Sequence, residues 1–169
     1  MCTKKDIIAA GPFLNYINKA ADKEVVKSIR DNTKAFKKLL KTIPPKKRKY
    51  AYAEGKWTVK EVLQHIIDAE RVFAYRALRV ARLDATPMPG FDENNWAVAA
   101  NKINRKWNDL AEEFTAVRAS TEILFRTLGK EELMFAGMAS NLPINALALG
   151  YVIAGHTQHH IELIKERYL

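Results

Sequence analysis

Three of the four histidines in the chain fall within six residues, Gly155-His156-Thr157-Gln158-His159-His160, and the fourth, His65, lies far upstream. Histidines gathered this closely in a His-poor chain point to a transition metal, since imidazole suits zinc, nickel, copper and iron. A helix turns about 100° per residue, so His156 and His160 each fall roughly 20° from the centre of the apolar face formed by Leu149, Val152, Ile153, Leu163 and Ile164. His159 falls about 80° away, on the flank. His156 and His160, at i and i+4, therefore point inward one above the other. Two imidazoles leave a metal under-coordinated, and His65 is the remaining histidine that could complete the set. The alternative is a pair of hydrogen-bonded core histidines, or a partly exposed helix end.

Three histidines leave at least one coordination position open, the pattern of catalytic zinc. Other chemistries lack their signatures. There is no His-Glu-x-x-His of the zincin type and no Glu-x-x-His pair of the di-iron type. Neither a Gly-rich phosphate loop nor a Gly-x-Ser-x-Gly elbow is present.

A chain of 169 residues, nearly half of them apolar, predicts one folded domain spanning 1–169 with a sizeable core. The single cysteine, Cys2, cannot form an internal disulfide, and no apolar signal segment follows the start; both lean toward a cytoplasmic setting. No run of 18 apolar residues exists, which excludes a membrane span of that kind. The net charge is +9, with much of the excess in Lys37, Lys38, Lys41 and Lys46-Lys47-Arg48-Lys49. The last run could serve nucleic-acid binding. The favoured reading is a solvated loop, because the run is short and has no interleaved aromatic platform. A basic surface would still attract an anionic substrate.

Four long amphipathic helices are needed to position the histidines. Residues 1–21 read as an irregular lead-in packed by Pro12, Phe13, Leu14, Tyr16 and Ile17. The first helix runs over about 22–41 and stops at Pro44-Pro45. The second follows an N-cap at Thr58, with Glu61 completing a capping box, and runs to about residue 82. His65 lies beside its apolar stripe, sharing a mixed stripe with Glu61, Asp68, Ala69, Val72, Arg76 and Arg79. A loop over 83–95 leads to a third helix, capped by Asp92 and continuing to about 128, with Ala99, Ile103, Trp107, Leu110, Phe114, Val117, Leu124 and Phe125 inward. A connector over 130–142 precedes a fourth helix that begins near Pro143. No strand alternation is visible.

The pattern predicts an all-α, four-helix bundle. His65 lies about two turns from the start of the second helix, and His160 about two turns from the end of the fourth. Parallel, those levels would be roughly 15 Å apart; antiparallel, they coincide. One metal on all three histidines therefore requires the second and fourth helices to be antiparallel. That calls for a crossover, which the 83–95 loop, about 40 Å in contour, can make.

Several segments together resemble the DinB superfamily, which includes the YfiT-like proteins: Gly55-Lys56-Trp57-Thr58-Val59-Lys60-Glu61-Val62-Leu63-Gln64-His65, then Asp68-Ala69-Glu70-Arg71-Val72-Phe73-Ala74-Tyr75-Arg76, Pro87-Met88-Pro89-Gly90-Phe91-Asp92-Glu93-Asn94 and Ala154-Gly155-His156-Thr157-Gln158-His159-His160. The resemblance implies an up-down-down-up bundle and a three-histidine metal site at His65, His156 and His160, holding zinc or nickel. It implies an activity too: S-transfer from a low-molecular-weight thiol such as bacillithiol, mycothiol-dependent isomerisation, or hydrolysis through metal-activated water. In such a scheme Asp68 or Glu70 would act as a partner or base, and Arg76 and Arg79 would receive a substrate carboxylate. A solvated or salt-bridged role is the alternative for each. A homodimer is expected from the same resemblance. A non-catalytic metal-binding stress protein is the second reading, and nucleic-acid binding through Lys46–Lys49 the third.

Overall fold

The computed structural model describes residues 2–169. Its helices are α1 (Phe13–Lys19), α2 (Val25–Thr42), α3 (Val59–Ala81), α4 (Glu93–Asn101), α5 (Trp107–Thr127), α6 (Lys130–Met134) and α7 (Ala146–Arg167); a hairpin, β1 (Ala136–Ala139) and β2 (Leu142–Asn145), precedes α7. The bundle is formed by α2, α3, α5 and α7. Val25 lies against Gly150 and Asn32 reaches Gln158, so α2 and α7 run parallel. His65 meets His160 while Phe73 meets His156, so α3 opposes α7. Arg30 pairs with Glu122 and Phe36 packs on Phe114, so α5 opposes α2. The order is up-down-down-up, as the family resemblance implies, with α3 and α7 antiparallel as one metal on all three histidines would need.

The apolar core comes in two portions with a polar layer between them. One portion holds Ile29, Phe73, Phe125, Ile153 and Ala154, and the other Phe36, Ile66, Ile67, Phe114 and Ile161. Along each helix the sequence steps from one to the other across a buried polar residue: Asn32 in α2, Glu70 in α3, Arg118 in α5, and His156, Thr157 and His160 in α7. No helix among the described residues is long and apolar enough to cross a membrane.

The third helix expected over 92–128 is two. Residues 102–106 break it, with Asn104 at φ 46°, a left-handed conformation that asparagine tolerates. Ile103, expected inward, is 70% exposed. The lead-in is partly regular, with a 3-10 turn at Lys4–Asp6 and α1. Pro143 starts no helix; it lies in β2, paired with Met138, and α7 is capped by Asn145, whose Oδ1 accepts from the Ala148 N–H at 2.9 Å. The two-residue turn Ser140-Asn141 has positive φ at both positions, the geometry that matches strand twist in a tight hairpin. Met88 joins its edge, donating to the Met138 carbonyl and accepting from the Ser140 N–H, and so pins the crossover loop.

Candidate metal centre

Both helices that carry the histidines are fixed close to them. Thr58 and Glu61 form the expected capping box, with the Thr58 N–H donating to Glu61 Oε2 at 2.7 Å and the Glu61 N–H donating to Thr58 Oγ1 at 3.2 Å. His65 follows one turn later, under the ring of Trp57 at 4.7 Å. On α7, Gly155 lets α1 approach until the Tyr16 carbonyl occupies the place a Cβ would take. The Tyr16 ring then lies edge-on to His156 at 5.0 Å and tilted against His159 at 6.0 Å. Tyr168 ties the end of α7 to the start of α3 through its hydroxyl, which donates to the Trp57 carbonyl at 2.7 Å.

The three imidazoles picked out on the helical wheel meet at one point, their nearest nitrogens all within 4.8 Å of one another. His156 Nε2 lies 2.9 Å from His65 Nε2 and 3.2 Å from His160 Nε2. His156 and His160 are buried and His65 half-buried. Burial pushes the His65 pKa down to about 4, helped by His159, and holds His156 and His160 well below the ordinary imidazole value, with neighbouring histidines adding to the effect. All three are therefore neutral at pH 7, each with a lone pair to offer a cation. His159 stays outside the trio, on the flank.

This arrangement fits a metal better than a hydrogen-bonded core. A ring nitrogen has one in-plane direction, either an N–H or a lone pair, so His156 Nε2 cannot bond well to two other nitrogens at once. His160 Nδ1 is sealed from solvent with no partner, so that ring is not held for its hydrogen bonds. Two nitrogens each about 2.05 Å from a tetrahedral ion stand about 3.3 Å apart, close to the 3.2 Å between His156 and His160 and wider than the 2.9 Å between His156 and His65. A three-histidine donor set suits zinc or nickel and leaves room for an incoming ligand.

The other candidates are dispersed. Glu70 is buried and engaged by Arg118, its Oε2 accepting from Nε at 2.9 Å and lying 2.7 Å from Nη2. Asp68 accepts from the Gln64 amide at 2.8 Å, and burial is the main cause raising its pKa. Arg79 pairs with Asp84 at 2.5 Å. Arg76 is buried and donates through Nη2 to the Pro89 carbonyl at 2.6 Å and to Ser140 Oγ at 3.0 Å. In the basic loop, Lys47 lies over Tyr50 at 4.4 Å and Arg48 over Trp107 at 4.9 Å. Tyr16 and Arg118 are neighbours of the site that the sequence reading did not single out. No periodicity marks Tyr16, because α1 is too short to show a stripe. Arg118 lies at the buried spacing of α5, between Phe114 and Thr121, where a charged residue was the available signal.

A model of the DinB superfamily matches residues 28–164. The solved structure of YfiT from Bacillus subtilis, described as "a probable metal-dependent hydrolase with an unusual four-helix bundle topology", superposes with a TM-score of 0.74 over 84% of this chain and 82% of its own, at 18% identity. A protein of Oceanobacillus iheyensis named "putative metal-dependent hydrolase" is 28% identical over 76 residues, 44% of this chain. That match spans 43% of the relative's length, less than half.

Proposed function

The chain belongs to the DinB superfamily, and from that premise we propose that it is a metal-dependent enzyme acting on a small molecule, with His65, His156 and His160 holding one zinc or nickel ion. The observation that carries the reading is the convergence of three neutral, largely buried imidazoles on one point from two helices 91 residues apart in sequence. A divalent ion in that position would act as a Lewis acid that favours deprotonation of water, for hydrolysis, or of a low-molecular-weight thiol, for S-transfer. The names carried by the relatives favour hydrolysis.

The chain's own residues supply orientation and exclusion. Trp57, Tyr16 and Phe73 wall the imidazoles with aromatic rings at 4.7, 5.0 and 5.6 Å, limiting water to the remaining side. A dry wall strengthens every electrostatic interaction inside it. Asp68, one turn from His65 along the chain and with its pKa raised by burial, is the α3 carboxyl held neither in the capping box nor by Arg118, and is the candidate to take up a proton. Glu70 is held by Arg118 and is unsuited to that task.

The test is elemental analysis of protein purified without a His-tag or chelator, wild type beside His160→Ala. About one zinc or nickel per chain in wild type, lost in the variant, supports the reading and selects the metal for screening esters, amides and thiol acceptors. Wild-type protein that stays metal-free after incubation with both ions would overturn it.

A further inference from the structure

The histidines meet where α3 packs on α7; α2 and α5 form the opposite side of the bundle. Five cations of α2, Arg30, Lys34, Lys37, Lys38 and Lys41, fall within about 100° of arc on that side. Two adjoining cavities, of about 460 and 520 Å³, open along the groove between α2 and α5 and share Lys37 and Lys41. Arg48, from the loop before α3, lines the first of them. The carboxylates lining the groove are Glu112 and Glu122, and Glu122 is taken by Arg30 at 2.6 Å. Among the described residues Lys34, Lys37, Lys38, Lys41 and Arg48 have no ion-pair partner. Lys34 with Lys38, and Lys37 with Lys41, are like charges at i, i+4, which repel and weaken a helix. A face that served solubility alone would intersperse the two signs.

Arg48 is the fixed point of the groove. Its carbonyl accepts from the Lys60 N–H at 2.9 Å, and its guanidinium carbon lies over the Trp107 ring, 4.9 Å from the centroid. Nε is sealed from solvent with no partner, and the guanidinium makes no hydrogen bond to the described residues. Its Nη1–Nη2 edge is therefore free to meet two oxygens of one anion, from a position the indole holds.

We propose that this groove binds a short chain of linked phosphates, with Arg48 seating one end and Lys41, Lys37 and Lys34 following it along α2. Each phosphate of such a chain carries charge, so several ammonium groups are neutralised at once and their mutual repulsion is relieved. Free oligophosphate and the phosphate tail of a nucleotide share this chemistry. Single-stranded nucleic acid fits less well, since it is held by bases stacked on aromatic rings as well as by charge. Trp107 is the one aromatic side chain lining the two cavities, and Arg48 already lies over it. The rest of the basic loop, Lys46, Lys47 and Lys49, lines neither cavity. The site is separate from the histidine centre and does not rest on the metal-enzyme reading.

The experiment is calorimetric titration of the full chain with sodium tripolyphosphate in about 0.15 M sodium chloride, which screens general attraction to a basic surface. One saturable site per chain is expected. Lys37→Gln/Lys41→Gln and Arg48→Gln should each weaken it at least about tenfold; the lysine pair carries the test if Arg48→Gln does not fold. Lys46→Gln/Lys49→Gln removes as much charge outside the groove and should change the affinity less than about threefold. Glu112→Gln should tighten binding, because a facing like charge is removed. His160→Ala is titrated in parallel and should bind as wild type does, which separates binding in the groove from metal drawn out of the histidine centre. ATP binding more tightly than tripolyphosphate would identify a nucleotide tail as the ligand, and ATP binding no more tightly the free chain. No saturable binding in wild type, equal losses in the groove and loop variants, or loss of binding in His160→Ala would overturn the proposal. So would a thymidine tetranucleotide that binds more tightly than tripolyphosphate, which would assign the groove to nucleic acid.

Discussion

The polar layer of the bundle holds two clusters that differ in one respect: one is closed and the other is open. In the closed cluster each of the four helices gives one residue. Arg118 of α5 bonds Glu70 of α3 at 2.9 Å, Asn32 of α2 at 3.2 Å and Thr157 of α7 at 2.7 Å. In the open cluster, beside it on α7, three imidazoles turn their nitrogens on one another with neither the protons nor the directions to satisfy them all. Both sets are buried polar groups, which carry a desolvation cost. The closed set recovers most of that cost within the protein, leaving Glu70 Oε1 as its one sealed atom without a partner, and fixes the relative heights of four helices. The open set recovers it only from a ligand. On the proposed function, this difference separates a structural polar group from a metal-binding one, and burial alone would not have distinguished them.

The largest effect expected is on the closed cluster. Arg118→Met leaves the Glu70 carboxylate buried without its partner and should cost about 3–5 kcal/mol in chemical denaturation. Glu70→Leu added to it should restore most of the loss, since a buried pair replaced by apolar residues is often neutral. A single variant that loses less than about 1 kcal/mol would mean that this cluster is not closed in the sense argued.

The open cluster should respond to metal. Zinc or nickel at a hundredfold excess over its dissociation constant should stabilise wild type by about 2.7 kcal/mol. His160→Ala should show no such gain, while Arg118→Met, if folded, should keep it. Loss of the metal response in both variants would join the two clusters into one unit and break the comparison.

Much of this layer was readable from sequence, for different reasons in each part. The trio could be read because histidines are rare in the chain and because i, i+4 spacing on an apolar face has one geometric consequence. The antiparallel arrangement of α3 and α7 followed from the distances of His65 and His160 from their helix ends. The break at 102–106 was hidden because Ala99, Ile103 and Trp107 keep the four-residue apolar spacing across it. Periodicity cannot report that Ile103 faces outward once Asn104 reverses the chain. The hairpin was hidden by Pro143, a residue that argues against a strand except at an edge, which is where β2 lies. The partner of Glu70 was not readable, because pairing Glu70 with Arg118 requires knowing that α3 and α5 are neighbours at that level.

Gly155 offers a way to disturb one cluster while sparing the other. A methyl group at this position collides with the Tyr16 carbonyl, so Gly155→Ala must displace α1 or shift α7. Overpacking of this kind should cost about 1–3 kcal/mol. If α1 moves, the Tyr16 ring leaves His156, and the absorption bands of a cobalt-substituted centre should shift. The hydrogen bonds of Arg118 to Glu70 of α3 and Asn32 of α2 lie on other helices and should persist, which amide exchange along α5 would report. A stability loss with unchanged cobalt bands would show that α1 is merely attached there and forms no wall of the centre.

The smallest effect at any one step is graded with pH, and it too should divide the clusters. The folded histidines have depressed pKa values, about 4 for His65, against an ordinary value of 6.5. Below pH 6.5 the unfolded chain takes up protons that the folded chain refuses, so the number bound is larger in the unfolded state. Stability is therefore complete above 6.5 and declines as pH falls toward 4, by at most about 1.4 kcal/mol per pH unit for each proton. Denaturation of metal-free protein at intervals between pH 7 and 4 measures the slope. Arg118→Met should lower the whole curve and leave the slope from the histidines in place. His65→Ala should flatten it over this window, because the removed imidazole is one that binds protons only when unfolded. A curve for His65→Ala parallel to wild type would mean that His65 takes up its proton in the folded protein at the same pH as in the unfolded chain, and so does not sit in the desolvated setting argued for the centre.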